Sequence, residues 1–133
     1  MRLVAHFTIP GKPVPKGRPR TVIVATAEGV RRHTYTPKRT RDAELLIRQY
    51  AQLELRDWQA TGPLEIHCVF YFPRGKTGLT KTIPGGHIDL DNLLKLSGGD
   101  ALKPWLDDYL IIRLTGSKEF GKARTEIGIW EVL

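Results

Sequence analysis

Apolar and polar residues alternate most cleanly between Leu64 and Phe72. Leu64, Ile66, Cys68 (or Val69), Phe70 and Phe72 recur with the period of two that marks a strand with one buried face. Residues 3–9 alternate more weakly and predict a strand that ends at Pro10-Gly11. From about Thr40 to Trp58 the period lengthens. Ala43, Leu46, Ile47, Tyr50, Leu53 and Glu54/Trp58 follow the three-to-four spacing of one helix face. Thr36-Pro37 or Thr40 can cap this helix, with Asp42 and Glu44 near the positive end of its dipole. Val22–Thr26 and His33–Thr36 predict a hairpin around Ala27-Glu28-Gly29, with Arg31 and Arg32 at its tip. A second helix is predicted from Asp91 to Lys103, stopped by Pro104. Ser97-Gly98-Gly99 interrupts it; two interior glycines cost roughly 1 kcal/mol each against alanine, which predicts a kink. Tyr109–Leu114 and Thr125–Val132 predict two final strands.

The connecting segments carry their own signals. Residues 10–20 contain four prolines, which remove backbone donors and fix φ, so they form a stiff, exposed, cationic loop. Residues 73–86 are rich in Gly, Lys and Thr and lack periodicity. The order strand, hairpin, helix, strand, helix, strand, strand predicts a mixed α+β fold, and 133 residues suit a single domain spanning 1–133. There are no internal repeats and no linker. Cys68 is the one cysteine, so an internal disulfide is excluded and a reducing, cytoplasmic location is expected. The N-terminus is too polar and too short for a signal peptide, and no run approaches the ~20 apolar residues of a membrane span.

Charge separates the two parts of the chain. The net charge is +7, yet residues 1–41 hold ten basic side chains against Glu28 alone, while the remainder is slightly acidic. A basic surface kept for solubility explains the total. Clustering within a proline-rich loop favours a polyanion such as DNA. Lys16, Arg18 and Arg20, held between prolines, are expected to stay clear of the protein's own acids and to form a cationic rim with Arg31 and Arg32. The same prolines would suit an SH3-like partner, which four cations in the loop disfavour.

The acidic residues concentrate elsewhere. Asp89 and Asp91 flank Leu90 where a helix starts, Lys95 lies one turn after Asp91, and Asp107-Asp108 follows the helix. A turn that folds back brings Asp108 toward Asp89 and Asp91. Three or four carboxylates without Cys or patterned His make an all-oxygen site, which suits a hard cation such as Mg²⁺ and not zinc. Asp at a helix start is also an ordinary N-cap, Asp-Asp an ordinary turn, and Asp91–Lys95 an ordinary i,i+4 ion pair. Spacing alone leaves both readings open. A basic surface beside a tight acidic cluster is consistent when cations stand between carboxylates and phosphate, as in metal-dependent phosphodiester hydrolysis. Lys95 would then contact the scissile phosphate. His6, His33, His67 and His87 share no ligand spacing, and Cys68 reads as core.

Asp89-Leu90-Asp91-Asn92-Leu93-Leu94-Lys95, Asp100-Ala101-Leu102 and Asp107-Asp108 together resemble the RusA family of Holliday-junction resolvases. Ile9 to Arg20 and Tyr35-Thr36-Pro37-Lys38-Arg39-Thr40 are similar to its phage and prophage branch. The resemblance implies a homodimeric, Mg²⁺-dependent endonuclease that nicks two opposed strands of a four-way junction. By position it implies that Asp89, Asp91 and Asp108 are catalytic metal-binding carboxylates and Lys95 the essential lysine. Asp100 matches a further acidic position, and Asp107 is the weaker of its pair. A C2 dimer presents two identical sites across a junction's two-fold axis, with Tyr50, Trp58, Trp105 and Trp130 as candidate interface residues. The readings from outside this activity are a DNA-binding protein without catalysis and a nuclease for other branched DNA.

Overall fold

Strand β1 (Arg2–Pro10) turns Ala5, Phe7 and Ile9 inward, and its register slips between Leu3 and Ala5. The computed structural model describes all 133 residues. A hairpin follows, β2 (Arg20–Thr26) and β3 (Gly29–Tyr35), then helix α1 (Lys38–Leu55), β4 (Leu64–Phe72), helix α2 (Leu90–Ser97), β5 (Ile111–Phe120) and β6 (Arg124–Glu131). The main sheet has the order β1-β6-β4-β5, antiparallel except for the β4–β5 pair. Parallel neighbours cannot be joined by a tight turn. The crossover is α2 with three 3₁₀ turns, Leu79–Lys81, Asp100–Leu102 and Asp108–Leu110, and it carries the acidic residues. The α+β class is as expected.

One face of the sheet meets the helices. Leu64, Ile66, Cys68, Phe70 and Phe72 of β4 pack with Ile127 and Ile129 of β6 against Ile47, Ala51, Leu55, Leu93, Leu96, Leu102 and Leu106. Cys68, not Val69, continues the buried face. The opposite face is polar. Glu65 is buried there between His67 (2.8 Å) and Arg113 (3.5 Å), and the His67 ring lies 4.6 Å from Trp130.

Several predicted boundaries move for identifiable reasons. α1 starts after Pro37 and stops where Arg56 takes φ +49°, so Trp58 lies outside it and donates its indole N–H to Glu131. Its buried residues are Thr40, Ile47, Ala51 and Leu55; Leu46 and Leu53 are exposed. α2 ends at Ser97 and does not kink onward to Lys103: the Gly98 amide makes the last helical bond, to Leu94 O, and at Gly99 (φ −141°, ψ −79°) the chain leaves the helix. That departure needs small residues: a Cβ on Gly98 would lie 2.9 Å from a Leu114 methyl and 3.0 Å from Leu94 O. The segment 73–86 contains a 3₁₀ turn at Leu79–Lys81. β5 begins at Ile111 and runs to Phe120, since Tyr109 and Leu110 belong to the turn before it. Of the candidate interface residues, Trp105 is buried, Tyr50 and Trp58 pack partly against the core, and Trp130 lies tilted against His67.

The hairpin is longer than predicted, and every residue of both strands is exposed. Arg31 and Arg32 pair with Val24 and Ile23 within β3; they are not at the tip. Adjacent strand residues point to opposite faces. One face of the arm therefore carries Arg31 and the other Arg32, and the two do not line a common rim.

Candidate nucleic-acid and metal site

Asp89 is the N-cap of α2, yet its side chain makes no capping bond. Asp91 lies in the first turn and Lys95 in the last, with 3.5 Å between Lys95 Nζ and Asp91 Oδ2. Both side chains are more than half exposed, so this pair contributes only a few tenths of a kcal/mol. Asp107 caps the 3₁₀ turn Asp108–Leu110, again without a side-chain bond, and Asp108 follows it. The ordinary capping role of Asp89 and Asp107 is thus not taken up, which leaves their carboxylates facing solvent.

The backbone brings these groups together. Asp91, Lys95 and Asp108 line one open cleft of about 470 Å³, with Lys16, Gly98, Gly99 and Asp100. Asp89, Asp91, Asn92 and Lys95 line a second hollow with Lys16 and Arg18. Asp91, Lys95 and Lys16 are common to the two. Gly99 forms the floor beside Asp108: a Cβ there would sit 3.7 Å from Asp108 Oδ1. Lys118 on β5 donates to the carbonyls of Ile88 (2.7 Å) and Gly86 (3.3 Å), fixing the chain that enters α2 just before Asp89. Nothing in the spacing of the sequence points to Lys118, because its partners are backbone atoms thirty residues away.

No three acidic or histidine side chains stand close enough to form a closed metal cage. The expectation that Asp89, Asp91 and Asp108 converge on one shared cation is not met as stated; Asp89 lies in the neighbouring hollow. The donor set nevertheless fits Mg²⁺, which is usually held by one or two carboxylates together with waters and substrate phosphates. Asp91 and Asp108 in one cleft supply two.

Lys16 departs from expectation. Its ammonium pairs with Asp100 Oδ2 at 2.7 Å, so this cation does fold onto one of the protein's own acids. Its amide donates to Asn92 O at 2.9 Å. Burial alone would raise the Asp100 pKa, but the hydrogen bond and charge of Lys16, then those of Lys103, outweigh it and hold the carboxyl below its ordinary value. Arg48 of α1 donates to the carbonyls of Asp100 (3.0 Å) and Ala101 (3.2 Å), anchoring the turn that bears Asp100. Arg18 lines the hollow beside Asp89 and Asp91, and Arg18 and Arg20 share a further hollow with Arg39. The lone thiol plays no part: Cys68 is buried and its pKa is pushed up to about 12 by desolvation.

Among curated protein sequences, none matches the chain at a significant level. Residues 10–130, which include Lys16, Arg18, Asp89, Asp91, Lys95, Asp100 and Asp108, match the family model for the endodeoxyribonuclease RusA, and the chain belongs to the RusA endodeoxyribonuclease family.

Proposed function

We propose that this endonuclease is Mg²⁺-dependent, works as a homodimer, and resolves four-way DNA junctions in recombination and repair by paired symmetric nicks. The observation that carries the reading is the shared cleft of Asp91, Lys95 and Asp108 beside the hollow of Asp89 and Arg18. Carboxylates at helix and turn starts that cap nothing are available to a cation. Asp91 and Asp108 would hold the metal, with Asp89 adjacent and the remaining positions left to water and phosphate oxygens. A cation held there would supply polarisation of the phosphate and activation of a water for attack. Lys95, exposed at the cleft, donates to a non-bridging phosphate oxygen and offsets the charge that develops in the transition state. Arg18 and Arg20 grip flanking phosphates, as does whichever of Arg31 and Arg32 the arm turns toward the DNA.

Paired nicks need two sites related by a two-fold axis, which a C2 dimer supplies. No helix is long and apolar enough to cross a membrane, and a single buried thiol suits the reducing cytoplasm.

The deciding experiment is cleavage of a synthetic four-way junction with and without Mg²⁺, by wild type and Asp91→Asn. The substitution keeps size and removes charge. Cleavage should disappear while junction binding is kept or tightened, because repulsion of phosphate falls. Normal cutting by Asp91→Asn defeats the assignment, and equal cutting of linear duplex defeats junction selectivity.

A further inference from the structure

Of the cations in the proline-rich loop, Lys16 alone is tied down by both its backbone and its side chain. Its amide is bonded to Asn92 O in the first turn of α2, and its ammonium to Asp100 Oδ2. The next residue is also fixed: the Gly17 amide donates to Thr40 Oγ1 at 2.9 Å, where a Cβ on Gly17 would lie 2.9 Å from that same oxygen. The Asp100 side chain is only 21% exposed, its main chain is held by Arg48, and Lys103 flanks the carboxylate at 3.4 Å. Lys16 therefore docks on a rigid acceptor, and the loop crosses the start of α2 at a fixed height. Arg18, two residues on, lines the hollow that contains Asp89 and Asp91.

We propose that the Lys16–Asp100 pair is a latch that seats the basic loop on α2 and delivers Arg18 to the acidic cluster, so that Lys16 is a positioning residue and not a phosphate contact. The proposal rests on the nuclease reading above and assigns Asp100 a place outside the metal-binding set. A misplacement of about 1 Å at a reacting centre costs on the order of 100-fold in rate. Releasing the loop should therefore slow cleavage without removing any group that touches the metal.

Asp100→Asn separates the latch from direct phosphate contact, because it breaks the pair yet leaves the Lys16 charge in place. As a latch, Asp100→Asn and Lys16→Met each slow single-turnover junction cleavage by about 10- to 100-fold. The double variant is then no slower than either single, since both remove the same contact. If Lys16 grips phosphate instead, Lys16→Met weakens junction binding and lowers the salt slope by about 0.9. Asp100→Asn then binds as well as wild type or better, and the proposal is overturned. Hydrogen exchange provides a measure independent of cleavage. Amides of residues 14–20 should exchange about tenfold faster in both variants, with those of β4 unchanged. Faster exchange throughout β4 would make the pair a contact of general stability and also overturn the latch. If the wild type does not cleave junctions, the nuclease proposal fails, while the exchange data still decide the latch.

Discussion

Asp89, Asp91 and Asp108 differ from Asp100 in the charges that surround them. All four line open clefts, but Asp100 alone is held between two lysines, Lys16 and Lys103. A carboxyl whose folded pKa lies below its unfolded value stabilises the fold fully above that unfolded value. The contribution is lost as pH falls through the lower folded one. The stability advantage of wild type over Asp100→Asn should hold level above about pH 5 and shrink below the ordinary value of 3.8, measured by urea unfolding at several pH values. Cys68 follows the opposite sign: burial favours the neutral thiol, so the native protein should be unreactive toward an aromatic disulfide reagent at pH 8. Reaction should appear only with urea-induced unfolding, and prompt labelling of native protein would contradict the buried placement.

The crossover between β4 and β5 is the element on which the site depends. It can close over the sheet because Gly116 of β5 lets Leu94 of α2 lie directly upon it; a Cβ there would stand 2.6–2.9 Å from three Leu94 side-chain carbons. Gly116→Ala must displace Leu94, and overpacking of this kind typically costs about 1–3 kcal/mol. Urea midpoints should register that loss. Because α2 also carries Asp91 and Lys95, junction cleavage should fall more than the stability change alone explains. A variant as stable and as active as wild type would show that α2 is less closely seated. A second close approach explains why the second helix is short. Gly98-Gly99, which interior propensity alone reads as a kink, ends the helix so that the chain can pass beneath Leu114 and place Asp108 against Gly99.

Across the molecule, charge is carried by segments that leave the main sheet. The loop at 10–20 lies on α2, and the fully exposed arm from Arg20 to Tyr35 extends beyond it with Arg31 and Arg32 on opposite faces. An isolated two-stranded hairpin is marginal in water, so the arm is the element with most to gain from a bound polyanion. Arg18 and Arg20, unlike Lys16, pair with no acid of their own chain. Neutralising both should flatten log K against log[salt] by roughly two for junction binding. Mg²⁺ binding, followed by titration calorimetry, should be unchanged. An unaltered slope would remove these two arginines from the DNA contacts.

The α+β order of the elements was legible in the sequence, because it rests on local chemistry. Period-two alternation at 64–72 has only one way to bury Leu64, Ile66, Phe70 and Phe72, and Pro13, Pro15 and Pro19 keep the segment after β1 out of regular structure. The acidic and basic residues announced themselves by type and spacing. Which of them meet was settled only by the tertiary fold. Lys16 turned toward Asp100, and not toward solvent, because the loop hydrogen-bonds to Asn92. Asp89 lines a hollow next to that of Asp108, on the chain that Lys118 holds at the entry to α2. Arg31 and Arg32 went to opposite faces because strand register, and not turn position, decides where they point. Local periodicity fixes which face of an element is apolar. Distances between side chains far apart in sequence depend on where each element ends and on which backbone groups it docks against, and those follow from packing of the whole chain.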